Sequence, residues 1–450
     1  MDAFLVTEPQ YIKRVLMTDA TTYEKGPEFR SQFLDLLGNG VLTSEGDLWK
    51  FHRGMTRPFL NKHRYSDLQL FYDHTETLIN RLKDRMREGF PADWQDLAHR
   101  YTLDTATTFL FGHDFRSLAA DLPCPPLHPS RELSSDGKRV HHFFHAFQQA
   151  QVQTARRLRY GRFWPLFEFW RNRVREHVNV IESFLEPVIE SVVLREKHHP
   201  RSAECQDEET LLEYLTRLTD DQRLIKDQTM NLLIGARDTT ASTLTSAVYV
   251  LTQRPDVCQR LRREVVDMVG HRVPSYDDLH KMKYLRAFIN EVLRLYPPVP
   301  ITIRASTRPT VWPAAGPTEK PVYIPAHTRI YVALLIMHRR KDLWGPDADE
   351  FDPDRWLDER LHKYFIPNPS IFLPFHAGPR ICLGQQFAYN SLSFVLVRLL
   401  QSFSQFELVL YDDDASESSS RSGVEFQTHL TMFVKGALWI KMQEPVEDPI

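Results

Sequence analysis

One segment constrains this chain more than any other: Phe375-His-Ala-Gly378-Pro-Arg380-Ile-Cys382-Leu-Gly384. It stands directly before an apolar, helix-periodic run from about 384 to 403 that reads as the last long helix. A lone cysteine is most often a buried, inert thiol. The surroundings of Cys382 point elsewhere. A thiolate needs its charge stabilised, and the backbone N–H groups of a helix N-terminus do this. Gly378 and Gly384 carry no Cβ and let the backbone pass close to a flat macrocycle. Arg380 is placed to reach an anionic group at such a macrocycle's edge. Phe375 is placed to cover the sulfur and limit water access.

The rest of the chain must build a body around that segment. A length of 450 residues suggests two or three domains. No linker, however, separates independent hydrophobic patterns, and a single domain over 1–450 is expected. The 42% hydrophobic and 26% charged residues are those of a soluble globular protein. The formal charge of -3 argues against a general nucleic-acid binder. Cys124, Cys205, Cys258 and Cys382 form no C-x-x-C pair, which leaves out zinc ribbons and dithiol redox sites and fits a reducing compartment. No apolar run approaches the roughly 20 residues of a membrane span. The N-terminal residues lack the basic and apolar regions of a signal peptide.

Helical periodicity dominates. It predicts helices over 9–17, 65–86, 173–195, from Pro255 onward, 277–296 and 384–403. Strand signals are few and late. Val322–Ile324 and Arg329–Leu335 read as a hairpin across Pro325, and 426–433 with 437–441 as another, turning at Lys435-Gly436. The Pro-rich stretch 117–138 and the acidic, Ser-rich stretch 411–424 read as loops. The fold class is therefore mainly α with small β-sheets.

Three further constellations carry chemistry. Gly235-Ala236-Arg237-Asp238-Thr239-Thr240 interrupts an apolar helical stretch with residues that cost helix stability, which predicts a local opening with a purpose. Glu291 and Arg294 share a helix face at i and i+3. Trp49 and Arg53 share one at i and i+4. His141 and His145 also stand at i and i+4, with no third ligand, and read as surface or pocket-lining histidines.

Taken together these motifs resemble the cytochrome P450 family, in order and across essentially the whole chain. The Cys382 segment matches the family's F-x-x-G-x-R-x-C-x-G loop at every fixed position. Residues 235–240 resemble its A-G-x-[DE]-T-T motif, with Ala-Gly inverted to Gly-Ala. Glu291 and Arg294 match E-x-x-R, with Arg355 of Phe351-Asp-Pro353-Asp-Arg355-Trp356 as the third member of a buried triad. Trp49 and Arg53 match W-x-x-x-R. The resemblance implies haem b between the long oxygen-activation helix and the Cys-ligand helix, with Cys382 as axial ligand. It implies propionate contacts from Trp49, Arg53, Arg304 and Arg380, and roles for Asp238 in proton delivery and Thr239 in hydrogen-bonding oxygen held at the iron. It also implies a substrate pocket lined by Ile234, Ala236, Val299, Ile301, Leu430 and Met432.

The expected activity is insertion of one oxygen atom of O2 into a C–H bond of a lipophilic substrate. Electrons would come from NADPH through a separate NADPH–cytochrome P450 reductase, with cytochrome b5 as a further donor and the catalytic domain monomeric. The phrases Tyr101-Thr-Leu-Asp-Thr-Ala and Met337-His-Arg-Arg are similar to fungal alkane- and fatty-acid-hydroxylating members. The alternatives are a haem-thiolate isomerase, dehydratase or peroxide-using enzyme, and a catalytically silent or truncated haem-binding protein. Ala3–Thr7 resembles the family's second strand, so the usual anchor, hinge and first helix have no counterpart. A longer form would then be an endoplasmic-reticulum membrane protein, and the present chain soluble or peripheral and prone to associate through residues 3–7.

Overall fold

The longest helix is the axis of the molecule. In the computed structural model, which describes residues 3–60, 68–126, 132–198, 209–316, 320–411 and 424–445, it runs from Gln222 to Gln253 (α9). Asp221 caps it by accepting from the N–H groups of Arg223 and Leu224, and it ends just before Pro255. Its second half is buried on nearly every face, as a helix enclosed by others must be.

Around it pack α3 (Gly46–Thr56), α4 (Gln69–Arg87), α5 (Trp94–Phe111), α6 (Ser135–Tyr160), α7 (Arg173–His198), α10 (Pro255–Val269) and α15 (Gln385–Ser402). The Trp94 indole on α5 donates to the Leu244 carbonyl of α9 at 3.0 Å, tying the two helices together. Two large apolar clusters result. One joins α4, α5, α9, α10 and α15, and the other joins α3, α6, α7 and the first half of α9.

The expected helix over 277–296 is two helices, α11 (Tyr276–Lys281) and α12 (Lys283–Leu295). Met282 is extended between them, and Glu264 of α10 accepts from the N–H groups of Tyr284 and Leu285 at 2.9 and 2.8 Å. A carboxylate from another helix thus caps α12, a partner that local periodicity does not reveal.

The sheets are small and late-paired, and both expected hairpins are corrected. β6 (Val322–Ile324) pairs with β5 (Thr310–Trp312), whereas β7 (Arg329–Ala333) lies between β1 (Ala3–Val6) and β4 (Ile301–Ser306) in a sheet completed by β2 (Tyr23–Glu24). The turn 325–328 therefore passes the chain between two sheets. Leu334–Met337 leaves the expected strand as a short helix, α13. At the end of the chain, β9 (Phe426–Thr428) and β10 (Met432–Val434) form the hairpin, turning at 429–431. β11 (Trp439–Gln443) instead joins β8 (Gln405–Leu408) and β3 (Ala92–Asp93).

Within the expected loop 117–138, Ser134 caps α6 by accepting from the Gly137 N–H, so the Ser-Ser-Asp-Gly run begins a helix. Residues 127–131 and most of the Ser-rich stretch, 412–423, lie outside the described residues, as does Cys205. β1 pairs with β7 in parallel and is the edge strand of its sheet among the described residues. No helix among the described residues is long and apolar enough to cross a membrane.

Candidate active site

The loop before α15 is held by its own backbone. The Cys382 N–H donates to the Phe375 carbonyl at 3.0 Å, and the Ile381 N–H to Gly378 at 3.1 Å. Phe375 packs on Tyr389 of α15, ring centres 5.1 Å apart. Cys382 is accessible, yet burial pushes its thiol up from the ordinary cysteine range, against the pull of the Gly384 N–H and Arg53. Both facts fit a sulfur lining an enclosed interior space. Gly384 and Gly235, the latter accessible in the middle of α9, border open space, for a Cβ at either would meet nothing within 4 Å.

Gly378 departs from the expectation. Its φ is +69°, and a Cβ there would sit 2.0 Å from the Leu16 carbonyl oxygen. It is glycine because the chain turns left-handed against the Arg14–Thr18 segment, whereas Gly384 borders the open space.

Four basic side chains and a histidine gather at this loop. The guanidinium of Arg380 lies over the Trp49 ring at 4.6 Å, donates to the Ser44 carbonyl at 3.0 Å and pairs with Glu45. Arg53, also near the Trp49 ring at 5.8 Å, donates to the Ile381 carbonyl at 3.1 Å, fastening α3 to the Cys382 loop. Arg304 on β4 is buried and donates to Ile303 and Thr302; burial and Arg380 push it down to about 10.

Sequence reasoning missed Lys25 and His376. Burial, Arg304 and Arg380 push Lys25 down to about 7, and burial, Arg304 and Lys25 push His376 to about 3. Among the described residues Lys25, Arg53 and Arg304 make no ion pair, and the buried His376 Nε2 has no hydrogen-bond partner. Four cations facing two carboxylates, Glu24 and Glu45, with a buried, partnerless ring nitrogen beside them, suit a ligand bearing carboxylates. The donor set therefore fits a flat, dianionic macrocycle with a thiolate on one face.

On α9 the expected opening is absent: the helix is continuous, and the Thr239 hydroxyl donates to the Gly235 carbonyl at 2.8 Å. That bond within one turn lets a β-branched alcohol sit mid-helix. Asp238 points away, into the protein. It accepts from Arg237 at 2.6 Å and from Gln151 of α6 at 2.9 Å. Burial raises its carboxyl above the ordinary range against the pull of both partners.

Glu291, Arg294 and Arg355 come together in full burial. Arg294 binds Glu291 through two bonds of 2.8 and 2.7 Å and donates to the carbonyls of His338, Ala348 and Glu350. Arg355 reaches Glu291 at 3.4 Å and the Trp344 and Asp347 carbonyls at 2.8 and 2.9 Å. The Trp356 indole and the Asp352 N–H also donate to Glu291, at 3.0 and 3.1 Å. His338, another residue the sequence reading did not single out, links this knot to the strand of chain entering the Cys382 loop. Its Nε2 accepts from the Leu373 N–H at 3.1 Å, and its Nδ1 faces the Arg294 carbonyl at 3.2 Å.

The expected pocket residues converge in part. Ile234, Ala236 and Leu430 belong to one apolar cluster. The Met432 N–H donates to the Pro298 carbonyl at 2.9 Å, which seats the β9–β10 hairpin beside Val299. Ile301 is 46% exposed.

The family model for cytochrome P450 matches residues 1–423. The chain belongs to the cytochrome P450 family. Cytochrome P450 monooxygenase pvhE of Talaromyces variabilis is 31% identical, over 97% of this chain and 79% of that protein. Cytochrome P450 52E1 of Candida apicola is 34% identical, over 93% of this chain and 79% of that one. Cytochrome P450 52A3-A of Candida maltosa is 33% identical, over 89% and 75%. The fold matches the crystal structure of the cytochrome P450DA heme domain with a TM-score of 0.73, at 21% identity and covering 98% of this chain and 86% of that one. This P450 is a monooxygenase, of a family whose cofactor is a haem iron. The isomerase, dehydratase and silent-protein alternatives gain no support from these relatives.

Proposed function

We propose that Cys382 is the axial thiolate of haem b, and that this P450 hydroxylates a lipophilic substrate with electrons passed from NADPH by a separate NADPH–cytochrome P450 reductase. The observation that carries the reading is the accessible Cys382 just before α15, within a loop fastened by Arg53 and bordered by open space beside Gly235 and Gly384. Trp49, Arg53, Arg304 and Arg380 would hold the propionates, and Phe375 would shield the sulfur.

A thiolate-bound haem iron supplies reductive activation of O2 and favours O–O cleavage. The protein's part is to place substrate, exclude water and manage protons. Thr239 offers its hydroxyl on the α9 face that Gly235 opens, and breaking its bond to the Gly235 carbonyl frees it to donate. Asp238, one residue back, is the proton reservoir. Glu291, Arg294 and Arg355 hold the chain that leads into the ligand loop. Ile234, Ala236, Val299, Ile301, Leu430 and Met432 offer an apolar lining with no charged anchor, which favours a long apolar compound such as an alkane or fatty acid. We further propose that the protein works at the endoplasmic-reticulum membrane, with cytochrome b5 as an additional electron donor and the catalytic domain, 1–450, acting as a monomer.

The test is reconstitution with haem, a fungal reductase and NADPH, with long-chain alkanes and fatty acids screened first by haem spin-state shift. Hydroxylated product from at least one binder supports the reading. Spin-state shifts only with compounds that lack a long apolar chain, and no product from alkanes or fatty acids, would overturn the substrate class.

A further inference from the structure

Asp238 keeps 2% of its side-chain surface and cannot exchange protons with water directly. Its two carboxylate oxygens are taken by Arg237 and Gln151. Neither can serve it: a guanidinium stays charged and an amide does not titrate. Arg237 is further held between the Phe144 and Phe147 rings of α6, at 4.7 and 4.4 Å.

One titratable group among the described residues fills the gap. His99 of α5 keeps 25% of its side-chain surface, while its Nδ1 is buried, lies 3.9 Å from Asp238 Oδ1 and has no hydrogen-bond partner. That separation is about 1 Å beyond a hydrogen bond, a distance that a small ring movement or one bridging water closes. The Gln151 Oε1 and Arg237 Nε atoms are also buried without partners, so polar atoms with unmet bonding capacity cluster around this carboxylate.

We propose that His99 is the relay through which Asp238 is reprotonated from solvent. This rests on Asp238 being the proton reservoir of the proposed function. A proton taken up at His99 Nε2 releases the proton on Nδ1 to Asp238 Oδ1, which gives up one bond from Arg237. The ring ends neutral in its other tautomer and resets by a ring flip that turns the protonated nitrogen toward Asp238 and the bare one toward solvent, and only a proton has moved. Burial, Arg237 and His429 keep the His99 ring neutral at rest, as a group that passes protons on must be. His429, on the β9–β10 turn, accepts from the Leu430 and Thr431 N–H groups through Nδ1 and is itself pushed down to about 4. Asp96, a turn before His99 on α5, pairs with Arg100 at 2.6 Å.

The experiment compares the haem-loaded wild type with His99→Phe, His99→Gln, Asp238→Asn and the His99→Phe/Asp238→Asn double variant. It measures NADPH-driven turnover and the solvent isotope effect, with the ferrous–carbon monoxide spectrum as a check on the site. Both His99 variants should slow turnover at least about fivefold with a larger isotope effect, and His99→Phe should add nothing once Asp238 is Asn. His99→Gln carries the test alone should His99→Phe fail to fold. If His99→Gln runs like wild type, or if His99→Phe slows the Asp238→Asn background as much as the wild type, the relay is overturned while the reservoir stands. If Asp238→Asn itself changes nothing, the reservoir and the relay both fall.

Discussion

Gly378 and Gly384 stand six residues apart in one motif and are glycine for different reasons. At Gly378 a methyl group would strike the Leu16 carbonyl and φ is +69°. Gly378→Ala should therefore lose more than about 2 kcal/mol of stability even as apoprotein, read from denaturant unfolding. At Gly384 the polypeptide has room, so Gly384→Ala should unfold like wild type but hold less haem, read from the haem-to-protein ratio. At Thr239, alanine should leave haem and substrate binding intact while product per NADPH falls and peroxide rises; unchanged coupling would contradict a proton-handling hydroxyl. The residues proposed to carry the chemistry stand out in the sequence because their types are costly where they stand. Lys25, His376 and His99 were not, since a lysine or histidine becomes informative only when the fold has buried it without a partner.

The knot between α12 and the chain after α14 (Lys341–Trp344) shows how an element is held by charge. Glu291 accepts from Arg294, Arg355, Trp356 and the Asp352 N–H in a site with no solvent. Glu291→Ala leaves the buried Arg294 guanidinium without a carboxylate and Arg355 with Asp347 alone, at a cost of about 3–5 kcal/mol. Little haem-loaded protein should be recovered, and normal incorporation would show the pair to be incidental. His338 adds a pH dependence. Burial and Arg294 push it down to about 3, which keeps Nε2 unprotonated and able to accept from Leu373. The unfolded chain binds that proton near 6.5, so stability contributed by neutral His338 is complete above that pH and is lost as pH falls toward 3. Unfolding free energy should drop between pH 6.5 and 4 in the wild type and drop less steeply in His338→Gln.

For the whole molecule, helices were legible where an apolar stripe repeats over several turns, as in α7, α10 and α15. Strand partners were not. Val322–Ile324 and Arg329–Ala333 look like neighbours in sequence, yet β6 finds β5 while β7 is claimed by β4 and β1. Short strands have too few side chains to fix a partner locally, and tertiary packing decides. The motifs likewise named the members of the proposed site without showing how they are arranged: α9 stays continuous, Asp238 turns inward, and Arg53 and Arg380 fasten the loop to α3 and Glu45. On the proposed reading, all of this serves one atom, the Cys382 sulfur. The most direct measurement is the ferrous–carbon monoxide difference spectrum of the haem-loaded protein beside that of Cys382→Ser. The wild type should show the strongly red-shifted band of a thiolate-bound haem and the variant should lose it, whereas a variant that keeps the band would show that another residue holds the iron.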